Sequence, residues 1–385
     1  MQFESFKSGT YSNQRGYKAF LPVCINTSWD WINPEVNVLL EQASNELGGL
    51  DSFSDLIPNI DIYIQMHIRT EANKSSKIEG TKTSVEEELM SVDDISPEKR
   101  DDHEEVQNYI KAMNFGISRI QNDNFPLSTR LVREIHSVLM QGVRGEHKTP
   151  GDFRTQQNWI GGSMPSNAVF VPPCVDDMHD LLSDLEKFIH NEEHFVPHLI
   201  KIALIHYQFE TIHPFQDGNG RIGRLIIPLY LLDKEILQKP CFYISDFFEK
   251  NRSTYYDALQ SVRTKNDITG WIIFFLRAVI YTAKSAKLKF KDVVKLVDDY
   301  EDKVLEFPGR ADTNRTILRT FFVEPILTVK QLQAQTSFSQ PVIDKILRVM
   351  RESGMLTEIT GFSRNRIFML KEYLNIFTRD SQESG

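Results

Sequence analysis

The chain has 385 residues, 44 Lys+Arg against 53 Asp+Glu, a formal charge of −9, and a composition 41% hydrophobic and 25% charged, a globular balance that excludes a disordered chain. At this length a single core stops growing, so two or three domains are expected, and the acidic balance excludes a protein that coats nucleic acid over its whole surface. Cys24, Cys174 and Cys241 are far apart and odd in number, which indicates neither a disulfide framework nor a zinc ribbon and fits a reducing compartment; they are expected as small buried hydrophobes.

Residues 1–17 never build the apolar run of a signal peptide. The longest apolar stretch, 225–232, is far short of the roughly 20 residues that span a bilayer. A cytoplasmic protein without membrane contact is therefore expected. Residues 1–35 carry Gly, Pro, Asn and Trp without clean periodicity and read as an irregular arm. Val36, Leu39, Leu40, Ala43 and Leu47 lie at helical spacing, with Gly48-Gly49 as the expected stop. A second helix is expected over 62–72. Ser96-Pro97-Glu98 announces a third, with an N-cap and Pro at the first helical position, and Val106, Tyr109, Ile110, Met113 and Ile117 form its apolar stripe.

Between 150 and 173, Pro and Gly clusters flank β-prone pieces, Asn158-Trp159-Ile160 and Ala168-Val169-Phe170-Val171, which predicts a β-hairpin. Helical sequence returns from 175 to about 290. Glu306-Phe307-Pro308-Gly309-Arg310 reads as a linker, and the chain beyond it differs in charge: residues 310–371 hold ten basic and five acidic side chains, a net of +5, so the remainder carries −14. Helices over 315–322, 328–335 and 339–353, then β-prone stretches over 355–360 and 366–370, predict a winged helix-turn-helix. Arg348, Arg351, Arg364 and Arg366 are its candidate contacts to DNA phosphates, and a docking module for a dimer partner or a target is the alternative.

The stretch His213-Pro214-Phe215-Gln216-Asp217-Gly218-Asn219-Gly220-Arg221-Ile222-Gly223-Arg224 carries the chemistry. A Gly-Asn-Gly turn opening a helix offers backbone N–H groups and a positive dipole end, an anion site suited to phosphate. Arg221 and Arg224 are neighbours on the first turns, and guanidinium forks match phosphate oxygens. Asp217 is the candidate ligand for Mg²⁺, which takes one or two carboxylates plus substrate phosphates. His213 at the lip is a base of near-neutral pKa. His190, His194 and His198 are spaced by four, but Pro197 breaks the helix that would align them for zinc. His206 is expected as a core histidine.

The string HPFQDGNGRIGR resembles the signature of Fic-domain proteins, which transfer AMP from ATP to a protein hydroxyl. The resemblance implies that His213 is the general base, that Asp217 holds Mg²⁺, and that Gly218, Asn219, Gly220, Arg221, Ile222, Gly223 and Arg224 bind the ATP phosphates. Kinases of the same superfamily carry Lys where this chain has Gly220, which disfavours a kinase. Ser75-Ser76-Lys77-Ile78-Glu79-Gly80 resembles the family's inhibitory motif, so Glu79, with Ser75 opening the motif, is expected to pair with Arg224 and obstruct the γ-phosphate.

The hairpin over 150–173 resembles the family's flap, which clamps the target by strand addition, with Asn158, Trp159, Ile160 and Gly161 nearest the nucleotide or target. Asn251 is expected at the nucleotide; Tyr255 and Tyr256 fit either that pocket or the core. The resemblance thus implies a mainly α protein in three parts: an inhibitory N-terminal region over 1–95, a Fic helical core with its flap over 96–305, and a winged helix over 311–377. ATP and Mg²⁺ are the expected substrate and cofactor, a hydroxyl-bearing protein, the chain itself included, the expected target, and a homodimer the family-level assembly. AMP removal and a nucleotide-sensing DNA-binding regulator are the rival readings.

Overall fold

The computed structural model describes residues 1–57, 59–142, 148–361 and 366–379. The first 33 residues are more ordered than an irregular arm: strands β1 (Gly9–Gln14) and β2 (Tyr17–Pro22) form an antiparallel hairpin. Its turn passes through Gly16 at φ +88°, a conformation glycine adopts without steric cost.

Helix α1 (Pro34–Asp55) is capped by Asn33, whose side chain accepts from the Glu35 N–H, and has Pro34 in its first turn. It runs through Gly48 and Gly49 instead of stopping there. Its flank lies along the longest helix, α11 (Ile268–Leu305), and a Cβ at Gly49 would sit 3.3 Å from Lys287 Nζ, so close packing supports a helix that intrinsic propensity would end. Helix α2 (Ile60–Glu79) extends well past the expected 62–72 and ends at Gly80, a left-handed C-cap at φ +109°. The short α3 (Val85–Leu89) begins with a Ser84/Glu87 capping box.

A single 3₁₀ turn at Pro97–Lys99, to which Ser96 supplies no side-chain cap, leads into α4 (Arg100–Gln121), which buries Val106, Tyr109, Ile110 and Met113 of its expected stripe and leaves Ile117 half-buried. Helices α5 (Thr129–Leu139) and α6 (Val175–His190) come next. Two helices, α7 (His198–Ile212) and α8 (Asn219–Asp233), are buried almost all round. They pack on each other, with α6 against α7, and α2, α4 and α5 against α8. Everything between them is therefore held by core packing. Helices α9 (Ser245–Lys250) and α10 (Arg252–Lys265) close this core against α11. By length and composition α11 is apolar enough to cross a membrane; half of that stretch is buried inside this fold.

The C-terminal unit runs α12 (Ala311–Val323), β3 (Ile326–Thr328), α13 (Val329–Thr336), α14 (Gln340–Glu352), β4 (Thr357–Glu358), β5 (Ile367–Met369) and α15 (Lys371–Thr378). Its strands form one antiparallel sheet in the order β3-β5-β4, with Leu327 opposite Phe368. Strand β3 and helix α15 are absent from the sequence expectation. Three residues of β3 carry no usable period, and α15 is defined by tertiary burial of Tyr373, Leu374 and Phe377. Arg364 lies outside the described residues.

Cys241 is buried, whereas Cys24 is exposed and Cys174 half-buried, because both of the latter lie in connecting segments outside the helical core.

Candidate active site

Helix α7 ends at Ile212, and His213 caps it in the left-handed region at φ +51°. The loop to α8 turns at Gly218, φ +76°, so Asn219 and Gly220 open α8. Asn219 clasps this loop: its Oδ1 accepts from Phe215 N–H and its Nδ2 donates to Phe215 O, both at 2.8 Å. Asp217 Oδ1 accepts from Gly218 N–H at 2.6 Å, and the Asp217 side chain is about half exposed.

Three residues outside the motif fix its backbone. Arg154, fully buried, donates from Nε to His213 O at 3.0 Å and from Nη2 to Pro173 O at 2.6 Å; burial lowers its pKa to about 10, so it stays charged at neutral pH. Asn158 Nδ2 donates to His213 O and Phe215 O. His136 stacks flat on Phe215 at 3.7 Å, its Nδ1 accepts from Gly151 N–H, and Nε2 lies 3.1 Å from Asp217 O. That assigns the proton to Nε2 of a neutral ring, in keeping with a pKa lowered by burial to about 4.

Arg224 is buried and held by α2 through Nε and Nη2. Nε donates to Ser75 Oγ at 2.8 Å, and Nη2 donates to Ser75 O at 3.0 Å and to Glu79 Oε1 at 2.6 Å. Burial disfavours charge on Glu79, but the Arg224 guanidinium outweighs it and lowers the Glu79 pKa. The ion pair is intact at neutral pH. Arg221 is held more loosely, 3.4 Å from Glu105 Oε2 and 3.9 Å from Asp217 Oδ1. The His213 pKa is lowered to about 4, by burial first and then by the Arg263 charge, which leaves a neutral imidazole at pH 7.

The sequence motif misses several titratable groups around the site: Arg154, His136, Glu210 and Arg263. Glu210 lies inside the core, its pKa raised by burial to about 7, and a Cβ on Gly223 would meet its Oε1 at 2.2 Å. Arg263 donates to Glu210 O and Thr211 Oγ1. Each lies outside the motif, and no local periodicity marks a buried charge.

The expected β-hairpin over 150–173 is reduced to a single antiparallel bridge, Ile160 to Phe170. Gly161 and Gly162 turn left-handed at φ +69° and +73°, and Pro165, Pro172 and Pro173 cannot donate to a ladder. Beyond the bridge this segment is supported by the N-terminal hairpin, through Phe20 N–H to Val171 O at 2.9 Å. Trp159 is 38% exposed, whereas Asn158 is spent on the motif loop, so the two do not share an outward face. Asn251 sits between α9 and α10 with its amide donating to Phe247 O. Tyr255 is core, its hydroxyl on His206 Nε2, while His206 Nδ1 lies 2.9 Å from Gly223 O; Tyr256 is partly exposed. His194 pairs with Ser28 and His198 with Tyr230, so these histidines serve separate contacts.

A histidine at a left-handed helix end, a glycine turn opening a buried helix and an arginine clamped by an N-terminal helix thus meet in one site. Residues 38–118 match the Fic/DOC family N-terminal region and residues 126–231 the Fic/DOC family. The chain is similar to the protein adenylyltransferase Fic of Aedes aegypti, 31% identical over 196 residues, which is 50% of this chain and 35% of that protein. It therefore spans about a third of the length of that relative. Among solved structures it resembles a Fic domain-containing signaling protein from Bacteroides thetaiotaomicron, with a TM-score of 0.51 at 19% identity over 66% of this chain and 95% of that one. It also resembles a Fic family protein from Desulfovibrio desulfuricans, with a TM-score of 0.50 at 19% identity over 88% and 96%.

Proposed function

We propose that the chain transfers AMP from ATP to a Ser, Thr or Tyr hydroxyl of a protein, and that Glu79 restrains this activity. The observation that carries the reading is the pairing of a neutral His213 with a phosphate-suited helix start whose Arg224 is already bound to Ser75 and Glu79. His213 takes the proton of the target hydroxyl, whose oxygen attacks the α-phosphorus; the bond to the β-phosphate breaks and pyrophosphate leaves. The N–H groups at the start of α8, with Arg221 and Arg224, hold the leaving polyphosphate. A cation at Asp217 fits the donor set, because one oxygen is pinned by Gly218 N–H while the carboxylate remains half exposed; Mg²⁺ there would neutralise phosphate charge, with phosphates and water completing its shell.

Glu79 opposes this by occupying Arg224, since a guanidinium bound to a carboxylate is unavailable to a γ-phosphate. The same carboxylate bears on the kinase alternative: a Cβ at 220 would lie 2.3 Å from Glu79 Oε1, so a lysine there would have to displace the Glu79 carboxylate. The C-terminal unit is read as a winged helix from its order of helix, strand, helix, helix and two strands.

The test uses ATP labelled at the α-phosphate, with Mg²⁺. Glu79→Gly should label itself or a lysate protein far more strongly than wild type, and Glu79→Gly with His213→Ala should not. A Glu79→Gly protein that binds ATP and transfers nothing would move the reading to AMP removal or nucleotide sensing.

A further inference from the structure

We propose that the cleft between α14 and β5 is a phosphate-backbone site for duplex DNA. Asp344, Arg348, Arg351, Arg366 and Phe368 line a cavity of about 160 Å³. Phe368 is its buried apolar floor, and the Arg366 guanidinium lies over that ring at 5.3 Å while donating to Asp344 at 2.6 Å. Arg366 is thus fixed in place. Arg348 and Arg351 are exposed neighbours on one face of α14, and among the described residues neither makes a hydrogen bond or an ion pair. Two uncommitted guanidiniums on one helix face suit phosphate oxygens, while Arg366, already bound to Asp344, shapes the cleft beside them.

The surroundings favour a duplex. Helix α14 is 13 residues long, and its exposed Gln340 and Lys345 and half-exposed Asp344 precede Arg348 along the chain, a size and polarity that a major groove admits. Residues 310–371 carry +5 in a chain of −9, so attraction is local and the remainder of the molecule repels the duplex, which makes binding weak and strongly salt-dependent.

The test is fluorescence anisotropy of the full chain with a labelled mixed-sequence duplex of about 20 base pairs. Two neutralised phosphates predict a log–log salt slope of about −1.8, roughly a 12-fold loss of affinity between about 50 and 200 mM salt. Arg348→Glu with Arg351→Glu, both at the surface, should cost at least about tenfold and flatten that slope. No binding at the lower salt, an unaltered slope in the double variant, or tighter binding of single-stranded RNA of equal length would each overturn the proposal.

We further infer, on the strength of the autoinhibition reading, that α2 transmits the position of the C-terminal unit to Glu79. The helix is 20 residues long, about 30 Å, and is held at both ends. At its far end Ser75 and Glu79 grip Arg224. At its near end the His67 ring packs on Phe290 at 4.5 Å and edge-on to Phe377 at 5.1 Å, from which contacts continue to Tyr373 and Phe322. Tyr63 shares a groove with Glu301, Arg319 and Phe322. A shift of α12 and α15 therefore moves the same rigid element that presents Glu79.

Phe377→Ala and the surface change Arg319→Glu should each raise AMP transfer above wild type and speed hydrogen exchange over residues 72–80, and neither should add to Glu79→Gly. If both variants leave exchange and transfer at wild-type values while Glu79→Gly activates, the coupling fails and the inhibition stands. If Glu79→Gly also fails to activate, the autoinhibition reading itself falls.

Discussion

The Cβ that Gly220 lacks would lie 2.3 Å from Glu79 Oε1 and 3.0 Å from Arg224 Nη1. Gly220 is in the first turn of α8, where alanine is a better helix former than glycine. The group obliged to give way in Gly220→Ala is therefore the flexible end of Glu79. The expected outcome is partial release: AMP transfer raised by roughly threefold to tenfold over wild type, corresponding to about 1 kcal/mol of weakened pairing, and no further gain in a Glu79→Gly background. Side-by-side labelling of the four proteins measures it.

Arg154 joins the flap to the motif by donating to backbone carbonyls of Gln156, Pro173, Ile212 and His213. In Arg154→Ala those buried acceptors lose a charged donor, which predicts a loss of about 3 kcal/mol in urea unfolding. A lysine has no planar fork to span two chain segments, so Arg154→Lys should recover little of it. Transfer should fall in both variants even where they remain folded, because the His213 carbonyl loses its charged donor and keeps only Asn158.

The same residues explain how far the sequence can be read. The motif is legible because twelve contiguous residues encode their own geometry: Gly218 turns, Asn219 clasps Phe215, and the arginines fall on one helix. The stripe of α4 is legible for the same local reason, and Pro97 marks the turn that leads into it. The hairpin at 9–22 is not, because the polar Ser12-Asn13-Gln14 of β1 hide its alternation and only Ala19, Phe20 and Pro22, all on β2, are buried. The flap is easily overread, since β-prone residues bounded by Gly and Pro look like strands whether or not a partner completes the ladder. Gly48-Gly49 signals an end that packing on α11 overrides. Arg154, His136 and Glu210 leave no signal, because a buried charge is specified by distant partners.

Stability should depend on acid through the buried imidazoles of His67, His103, His136 and His206 and the half-buried one of His213. Burial lowers His67 and His206 to about 3 and His136 and His213 to about 4. As pH falls through the ordinary 6.5, the unfolded chain gains protons that the folded chain does not bind, so stability drops progressively from pH 6.5 towards 4, by up to about 1.4 kcal/mol per pH unit for each group. Glu71, Glu88 and Glu210, raised by burial, oppose this below neutrality, but the imidazoles outnumber them. Urea midpoints should fall between about pH 7 and about pH 5. His67→Phe, placed among Phe290, Tyr243 and Phe377, should flatten that fall by one proton's share.

The pH profile of transfer tests the base directly. An unperturbed histidine would halve the rate near pH 6.5, whereas His213 is held at about 4 by burial and by the Arg263 and Arg154 charges. The Glu79 charge pulls that value upward, so removing it moves the acid limb lower still. Glu79→Gly should therefore transfer AMP at a constant rate from about pH 8 down to about pH 5 under saturating ATP, once samples that fail to recover activity on return to neutral pH are set aside as unfolded. An acid limb near 6.5 in recoverable protein would mean that His213 titrates as an exposed imidazole, and the buried neutral base would then be wrong.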